Sequence, residues 1–419
     1  MSISVKKTEE YDVIVAGAGP AGIGAALTAA RNGAKTALIE THGCLGGVWT
    51  AGLLSWIFEA DNPGVASEIA AELAMMGANN GPNRKTYSYD IESMKVLLER
   101  LCIVAGVKIR LFTGVVDAVV EERCLKGVIT ESKSGREQWP ARCFIDCTGD
   151  GDLGAAAGNA FDLGGPNGEV QPGTLMGLIA VKDISLLKDY ISFLEEKGMW
   201  EHHRICQENL LLDFSRFGYN PSYMQPSVFH VRDNVCAIMF NHQYKLSAID
   251  ADSLTDATIS ARSEIYRIVE GLRTLGGPWE GVTLVASAEQ IGIREARRLH
   301  GLYTLCVDDL IAGTKFHDGV CTCSFCVDVH SPDPTKDKGL SHKGIKVHPY
   351  QIPYRALVAK DVNGLLMAGR CISGDWLSHA SYRVTGTAVA LGEAAGRAAA
   401  FCAVNKKLPH EVSWRDVSI

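Results

Sequence analysis

The sequence has few of the features that mark membrane-spanning, nucleic-acid-binding or disulfide-rich proteins. No stretch approaches the roughly 20 consecutive apolar residues that a bilayer-spanning helix needs. Basic residues number 41 against 48 acidic ones, which gives a net charge of −7, and there is no block rich in lysine and arginine. The thirteen cysteines are odd in number and scattered, unlike the dense, even frameworks of small secreted domains. We therefore expect a cytoplasmic protein with reduced thiols, no membrane span, no bound metal and no nucleic-acid partner.

Glycine is the residue in excess. The chain of 419 residues contains 43 glycines, about one residue in ten where about 7% is usual. They follow no collagen-like period, so they should mark turns and places where the backbone comes close to a neighbour or a ligand. The length predicts two to three domains at about 150 residues per domain.

The strongest motif lies in the first forty residues. Residues 11–16 form a short β-branched run that is typical of a buried parallel strand. A G-x-G-x-x-G motif follows at Gly17, Gly19 and Gly22, and it opens a run of small apolar residues that predicts a helix packed on a sheet. The next strand is predicted to end at Glu40, 23 positions after Gly17. This order of elements is that of a dinucleotide-binding βαβ unit.

Each residue of this motif has a physical task. Gly17 permits a tight turn, Gly19 lets the backbone approach a pyrophosphate, and Gly22 allows the helix to pack closely on the strand. Pro20 and Ala21 begin the helix, whose free N–H groups and dipole favour phosphate. The acid that ends the second strand can accept hydrogen bonds from ribose hydroxyls.

The region after the second strand favours FAD over NAD as the cofactor. A glycine-rich segment at residues 43–52, which includes Gly46 and Gly47, follows the strand directly. Such a segment suits a chain that wraps around a large cofactor, whereas an NAD site needs no such continuation. Val115, within the strand patterns that come next, is included among the expected cofactor contacts.

A second glycine-rich loop could be mistaken for another dinucleotide site. Residues 142–147 predict a strand that runs into Thr148, Gly149 and Asp150, and residues 149–154 again match G-x-G-x-x-G. Two acids within this loop would repel a pyrophosphate, and no strand that ends in an acid follows about 20 residues later. We therefore expect this loop to lie beside the first cofactor site.

Four segments, at residues 17–40, 44–52, 144–158 and 363–400, carry a resemblance to a known family. In them the chain resembles the FAD-dependent oxidoreductases with a glutathione-reductase-type FAD domain. This subgroup is distantly related to the fumarate reductase and succinate dehydrogenase flavoproteins. The order of the segments is as specific as their content.

The resemblance implies an α/β fold with a Rossmann-like FAD-binding domain, a parallel sheet with helices, and an inserted α+β substrate domain. Residues 1–157 and 350–419 would form the FAD-binding domain, and residues 158–349 the substrate or cap domain. FAD would bind in an extended form, with its adenosine at Glu40 and its isoalloxazine against the cleft between the domains.

The C-terminal segment supports this interpretation. A strand is predicted to end at Gly369, and residues 385–400 predict a helix of small residues. If Thr385, Gly386 and Thr387 face the flavin, the helix dipole stabilises negative charge on the reduced ring.

One position departs from the family pattern. In related families an acid after the strand-end glycine holds the ribityl chain, but here Arg370 stands in that place. We include Arg370 among the cofactor contacts and regard Asp375 as a candidate substitute for the acid.

The candidate catalytic groups are one histidine and two arginines. His379 and Arg383 resemble an H-x-x-x-R stretch in fumarate reductases, in which the arginine contacts a substrate carboxylate. His379 would move the proton that accompanies hydride transfer. Arg294, Arg297 and Arg298 are spaced to share one helical face, and Arg294 is expected to bind an anionic substrate. The alternatives are a structural histidine and a solvated basic face.

Three cysteines lie within six residues at Cys321, Cys323 and Cys326. Zinc and iron–sulfur sites usually take four ligands in paired C-x-x-C motifs, and this spacing differs from that pattern. A metal site and a redox dithiol are alternatives, but ordinary thiols are the prediction.

The sequence therefore predicts an enzyme, an FAD-dependent oxidoreductase of the dehydrogenase or oxidase type. It would transfer a hydride between flavin N5 and a small polar metabolite that is anionic or hydroxylated. The alternatives are an NAD(P)H-dependent flavin reductase that acts on a double bond, and a flavin-binding or sensing protein without turnover. The acidic charge balance disfavours tRNA modification. The substrate, the electron acceptor and a homo-oligomeric state are left open.

Overall fold

The computed structural model of the chain describes residues 5–80, 83, 85–194 and 196–417. The strands are β1 (Lys6–Lys7), β2 (Tyr11–Ala16), β3 (Thr36–Ile39), β4 (Trp56–Ile57), β5 (Tyr87–Ser88), β6 (Lys108–Arg110), β7 (Thr113–Glu121), β8 (Cys124–Ser132), β9 (Gly135–Asp146), β10 (Phe161–Asp162), β11 (Gly177–Ala180), β12 (Ser227–Arg232), β13 (Val235–Met239), β14 (Thr283–Ser287), β15 (Arg298–Leu299), β16 (Gly319–Cys323), β17 (Val329–His330), β18 (Leu340–Ser341), β19 (Tyr350–Pro353) and β20 (Leu365–Met367). The helices are α1 (Pro20–Arg31), α2 (Val65–Met75), α3 (Ile91–Val104), α4 (Asp152–Ala156), α5 (Met199–Arg216), α6 (Ala251–Leu275), α7 (Val307–Ala312), α8 (Trp376–Tyr382), α9 (Thr385–Asn405) and α10 (Trp414–Val417).

The main sheet is assembled from both ends of the chain. Its strands run in the order β6-β3-β2-β9-β8-β7, and β1 and β20 also pair with β9. The pairs among β2, β3, β6, β9 and β20 are parallel, whereas β7, β8 and β9 pair antiparallel. Val13, Ile14 and Val15 of β2 are fully buried, as expected of a parallel strand covered on both faces. The predicted Rossmann-like α/β fold is therefore confirmed.

Two glycine-containing helices pack against each other beside this sheet. A Cβ atom at Gly392 of α9 would lie 2.0 Å from the carbonyl oxygen of Ala21 in α1, and one at Gly396 would lie 2.3 Å from that of Ala25. Such distances are shorter than any side chain tolerates, so glycine lets the two helix axes come together. The packing joins the N-terminal and C-terminal parts of the chain into one layer.

By length and composition α9 could cross a membrane, and it is the one helix of the described residues with this property. However, 78% of its most apolar window is buried inside the fold. Since this helix packs on α1 and on the sheet, its apolar residues serve the core of the protein.

The middle of the chain contains a second sheet. Its four strands run antiparallel in the order β12-β13-β11-β14. The residue pattern of 251–275 predicts a long helix, and α6 has these bounds. It packs against β14, and Asp250 caps its start by accepting a hydrogen bond from the Ser253 N–H at 2.7 Å. This is the predicted α+β insert, and the domain boundaries at residues 157, 158, 349 and 350 stay a prediction.

The arginine-rich segment does not form the predicted helix. Gly292 exchanges backbone hydrogen bonds with Thr174, and the Leu299 N–H donates to the Cys371 carbonyl oxygen at 2.9 Å. These non-local bonds hold the segment extended, so the helical spacing of Arg294, Arg297 and Arg298 has no structural meaning. Arg298 lies instead in β15.

Candidate functional site

A cavity of about 1090 Å³, open to solvent, lies where α1 and α9 begin, at the carboxyl ends of β2, β9 and β20. This is the edge at which ligands bind in open α/β sheets. Most of the residues predicted to contact the cofactor line it: Gly17, Gly19, Pro20, Ala21, Glu40, Gly47, Val115, Thr148, Gly149, Asp150, Gly369, Arg370 and Thr385. The loop after β9 therefore lies beside the first glycine motif and shares its cavity.

The glycines of the first motif have different surroundings. Gly17 has a φ of +90°, and a Cβ atom there would lie 2.5 Å from the Cys147 carbonyl oxygen. At Gly22 a Cβ atom would lie 1.9 Å from the Gly17 carbonyl oxygen. At Gly19, in contrast, it would meet no protein atom within 4 Å. The fold requires glycine at Gly17 and Gly22. Gly19 instead leaves open space at the helix N-terminus, which fits the approach of a pyrophosphate.

Glu40 is held at the cavity edge by the backbone. Its Oε2 accepts a hydrogen bond from the Ala18 N–H at 2.7 Å, and its Oε1 accepts one from the His42 N–H at 2.9 Å. The side chain is nearly buried but lines the cavity. The carboxylate therefore has a fixed position with lone pairs left for ribose hydroxyls.

Four of the predicted cofactor residues, Gly22, Gly46, Gly386 and Thr387, lie behind the lining. A Cβ atom at Gly386 would lie 2.2 Å from the Glu59 carbonyl oxygen, and Thr387 is fully buried. The structure gives these residues a packing role around the cavity.

The sequence analysis missed the lining residues Ile39, Thr41, His42, Val48, Thr113, Cys147, Asp152, Gln290, Ala368 and Ala388. Most are chain neighbours of predicted residues, so the ends of the same strands could have indicated them. Gln290 lies three residues after the end of β14, and no local sequence pattern indicates it.

Arg370 connects two walls of the cavity. Its Nε donates to the Gly149 carbonyl oxygen at 3.1 Å, its Nη1 donates to that of Ile293 at 2.7 Å, and its Nη2 pairs with Asp150. Burial raises the pKa of Asp150, and the Arg370 charge works against this rise. The suggested substitute, Asp375, lines no part of this cavity and instead caps α8. Arg370 thus replaces the family's acid with a cation that fixes the loop after β9.

A second cavity, of about 1570 Å³, adjoins the first. Val48, Arg370, Arg383 and Thr385 line both of them. A molecule in the second cavity can therefore meet a cofactor in the first.

One wall of the second cavity is aromatic, with Trp56, Phe58, Phe193, Trp200, Phe229 and Phe325. The rings contact one another, with centroids 4.7 Å apart for Trp56 and Phe193 and 5.1 Å apart for Phe58 and Phe325. Trp200 is 58% exposed. This wall is mainly apolar, as in sites that take up an apolar part of a ligand.

The other wall is charged. Arg383 donates to the Arg294 carbonyl oxygen at 3.0 Å and to the Asp328 carbonyl oxygen at 2.6 Å. Arg294 donates to the Pro172 carbonyl oxygen and the Thr174 hydroxyl, each at 2.8 Å. Burial lowers the pKa of Arg383, and it lowers the pKa of Arg294 to about 10. Arginine side chains stay protonated in proteins. The two predicted arginines therefore come together, held from behind by backbone carbonyls.

Asp328 and His330 complete the charged wall. The His330 Nε2 lies 3.3 Å from the Asp328 Oδ2, and its Nδ1 lies 3.0 Å from the His242 Nε2. Burial acts to raise the pKa of Asp328, but His330, Arg383 and Arg294 outweigh it and hold that pKa well below its usual range. Burial and the Arg294 charge lower the pKa of His330 to about 4. Sequence reasoning had assigned neither group to the site, because their neighbours in space come from distant segments.

The structure does not bring His379 to either cavity. The ring is fully buried in α8, beside Tyr382, and neither ring nitrogen has a hydrogen-bond partner of normal geometry. Burial, followed by the Arg383 charge, holds its pKa well below the usual value. A ring enclosed in this way is a core residue, and the predicted role in moving a substrate proton has no support.

The three clustered cysteines are free thiols. Burial raises the pKa of Cys321, Cys323 and Cys326, which disfavours the reactive thiolate. In the part of the chain that the structure describes, no three His, Cys, Asp or Glu side chains are grouped to hold a metal ion.

The family model described as FAD dependent oxidoreductase matches residues 12–418. A thiamine thiazole synthase of Methanococcus maripaludis is 32% identical in an alignment of 151 residues that covers 33% of this chain and 56% of that protein. The chain thus spans about half the length of the curated relatives that it matches.

Solved structures share the fold over nearly the whole chain. A geranylgeranyl bacteriochlorophyll reductase-like protein of Thermoplasma acidophilum is 13% identical with a TM-score of 0.51, over 95% of this chain and 80% of that one. The flavin-dependent brominase Bmp2 is 11% identical with a TM-score of 0.52, over 98% of this chain and 82% of that one. The match to the family model, together with a cavity that fits the cofactor, shows that the chain belongs to the FAD dependent oxidoreductase family, whose cofactor is FAD.

Proposed function

We propose that the protein is an enzyme that transfers a hydride between FAD in the first cavity and a metabolite in the second. The observation that carries this proposal is that Val48, Arg370, Arg383 and Thr385 line both cavities. FAD, when bound, supplies a ring that accepts or donates a hydride. The protein supplies binding, orientation and the exclusion of water.

The first cavity offers groups that suit the pyrophosphate, the ribose and the negative charge of a reduced flavin ring. The open space at Gly19 and the N-terminus of α1 suit the pyrophosphate, and the Glu40 carboxylate suits the ribose. Thr385 brings the N-terminus of α9 to the shared wall, where its dipole favours negative charge. Residues 1–157 and 350–419 are the proposed FAD-binding domain, and residues 158–349 the proposed substrate domain.

The second cavity favours a metabolite with two chemically different parts. The Arg383 and Arg294 guanidinium groups suit an anionic or hydroxyl group, because their positions are fixed by backbone carbonyls. The aromatic wall suits an apolar part and keeps water away from it. We therefore amend the predicted small polar substrate to an amphipathic one.

The test is an anaerobic titration of the purified holoenzyme with paired compounds that share one apolar skeleton and carry either a carboxylate or a hydroxyl group. Loss of the visible flavin absorbance identifies the reductant. We expect Arg383→Met to lower kcat/KM by about 10- to 150-fold, as the loss of a charge-assisted bond worth about 1.5–3 kcal/mol implies. A colourless protein that takes up no FAD would overturn the proposal.

Arg204 provides a matched control. It also lines the second cavity, but it pairs with Glu201 and Glu208 on the exposed face of α5. Arg204→Met should therefore leave kcat/KM within about fivefold, since exposed ion pairs are worth about 0–1 kcal/mol. Rapid bleaching by NADH in the absence of any metabolite would favour the alternative, a flavin reductase fed by a nicotinamide cofactor.

A further inference from the structure

Four polar side chains form a continuous line from the second cavity to the outside of the protein. Asp328 and His330 line the cavity, and the His330 ring contacts the His242 ring as described above. The His242 Nδ1 in turn lies 3.4 Å from the hydroxyl of Tyr244, a residue that is partly exposed. Distances of 3.3, 3.0 and 3.4 Å therefore separate the successive polar atoms of this line.

The two imidazole rings lie in a dry environment. Their exposed fractions are 2% for His242 and 4% for His330. The Tyr223 ring stacks on His242 with centroids 3.9 Å apart. The exchange of protons between the two rings therefore depends on their direct contact.

Both rings rest in the neutral form. Burial, followed by the Arg294 charge, lowers the pKa of His242 and of His330. A neutral imidazole has one N–H and one lone pair, so two rings in series can pass a proton without storing a buried charge.

The charges that face the line come from several elements. Arg294 faces both rings and Asp328, and Arg383 faces Asp328 from the end of α8. At the other end, burial is the largest cause that raises the pKa of Tyr244, and the charges of Asp337 and Glu264 raise it further. The cationic end therefore keeps Asp328 ionised, and the anionic end keeps the tyrosine hydroxyl protonated.

The geometry accommodates both directions of hydrogen bonding. In the first, Tyr244 donates to His242, His242 donates to His330, and His330 donates to the ionised Asp328. In the second, a protonated Asp328 donates to His330 and each later bond is reversed. The Tyr244 hydroxyl then donates to the Ser222 carbonyl oxygen, which lies 2.9 Å away. Every donor has an acceptor in either state.

We propose that Asp328, His330, His242 and Tyr244 carry a proton between the substrate cavity and solvent. Passage inward turns the first arrangement into the second. The Tyr244 proton moves to His242, each imidazole passes on the proton of its other nitrogen, and Asp328 becomes protonated. Water returns one proton to Tyr244, and no electron moves. The inference rests on the proposed function, because hydride transfer at the cavity consumes or releases one such proton.

The test measures how fast the ring N–H protons exchange with water. Holoenzyme labelled with ¹⁵N at histidine is compared with Tyr244→Phe by saturation transfer in NMR spectra. His242→Gln and His330→Gln assign the signals. We expect exchange at both rings to slow by at least tenfold in Tyr244→Phe, because that substitution removes only the hydroxyl at the outer end.

Tyr190→Phe is the matched control. Its hydroxyl also belongs to a partly buried tyrosine, and it donates to Asp213 at 2.8 Å. This variant should leave the exchange rates of His242 and His330 unchanged. Unchanged rates in Tyr244→Phe, or an equal fall in Tyr190→Phe, would refute the path.

A second measurement examines the inner end. Asp328→Asn removes the carboxylate that accepts from His330, so the ¹⁵N shifts of both rings should report a change of tautomer. Unaltered shifts in a variant that retains its flavin absorbance would refute the assignment of Asp328. The NMR signals need no turnover, so this outcome is separate from a failure of the proposed function, which the flavin spectrum reports.

Discussion

The different surroundings of Gly19 and Gly22 lead to a prediction that separates cofactor binding from folding. In Gly19→Ala the new methyl group meets no protein atom within 4 Å, and the backbone there has an ordinary φ of −66°. We expect the free energy of unfolding of the FAD-free protein to change by less than about 1 kcal/mol, because alanine restricts the unfolded chain but is a poorer N-cap residue than glycine. The same methyl group occupies the space through which the pyrophosphate approaches.

The expected loss of affinity follows from the cost of overpacking. Inserting a methyl group where two groups must touch costs about 1–3 kcal/mol. That range corresponds to an FAD dissociation constant about 5- to 150-fold higher. The constant is measured from the quenching of flavin fluorescence when FAD is added to the FAD-free protein.

Gly22→Ala, in contrast to Gly19→Ala, should lower the stability of the FAD-free protein. Its Cβ atom would lie 1.9 Å from the Gly17 carbonyl oxygen, so the backbone of the turn has to move. We expect the overpacking to lower the free energy of unfolding by about 1–3 kcal/mol. The higher helix propensity of alanine offsets about 1 kcal/mol of this decrease. Thermal unfolding without FAD measures this loss. An unchanged dissociation constant in Gly19→Ala, or an equal loss of stability in both variants, would refute the reasoning.

Three further predictions use single residues of the first and second cavities. Glu40→Gln should weaken FAD binding by about 5- to 13-fold, since a ribose hydrogen bond to a carboxylate is worth about 1–1.5 kcal/mol more than one to a neutral amide, and equilibrium dialysis would show it. Arg370→Met leaves Asp150 without its cation and should lower the free energy of unfolding by about 3 kcal/mol in urea titrations, whereas the double variant with Asp150→Asn should recover part of this loss. Burial and the neighbouring His202 lower the pKa of His203 to about 4. The unfolded chain, with a histidine pKa near about 6.5, then binds more protons between the two values, so stability falls as the pH falls through this window. His203→Phe should reduce this loss by on the order of 1–2 kcal/mol, and an unchanged pH dependence would contradict the shift.

The parts of the fold that the sequence predicts well depend on short-range patterns. The unit β2–α1–β3 follows from an apolar strand, a glycine motif and a second strand that are contiguous in the chain. Helix α6 has the bounds predicted for it, because Asp250 marks its start and Gly276 follows its end. Local chemistry is sufficient in both cases.

The parts that sequence reasoning misses depend on contacts between distant segments. Arg294 has helical spacing to its neighbours, but the bridge between Gly292 and Thr174 outweighs it. Trp56, Phe193 and Phe325 are more than 100 residues apart in the chain and meet only in the folded cavity. His379 matches a motif, yet its burial is decided by the packing of α8. A motif indicates which residues are chemically able to act, and the fold decides which of them reach the cavity.

The packing of α9 on α1 has a consequence for biosynthesis. During translation α1 emerges more than 350 residues before α9, so its small-residue face stays uncovered while those residues are synthesised. Thr385 and Ala388, which line the cofactor cavity, also leave the ribosome more than 350 residues after the glycine motif. A contact between such distant segments forms slowly, and the exposed apolar surface needs protection until then. We therefore expect FAD to be loaded only after the N-terminal part of α9 has emerged and packed against α1.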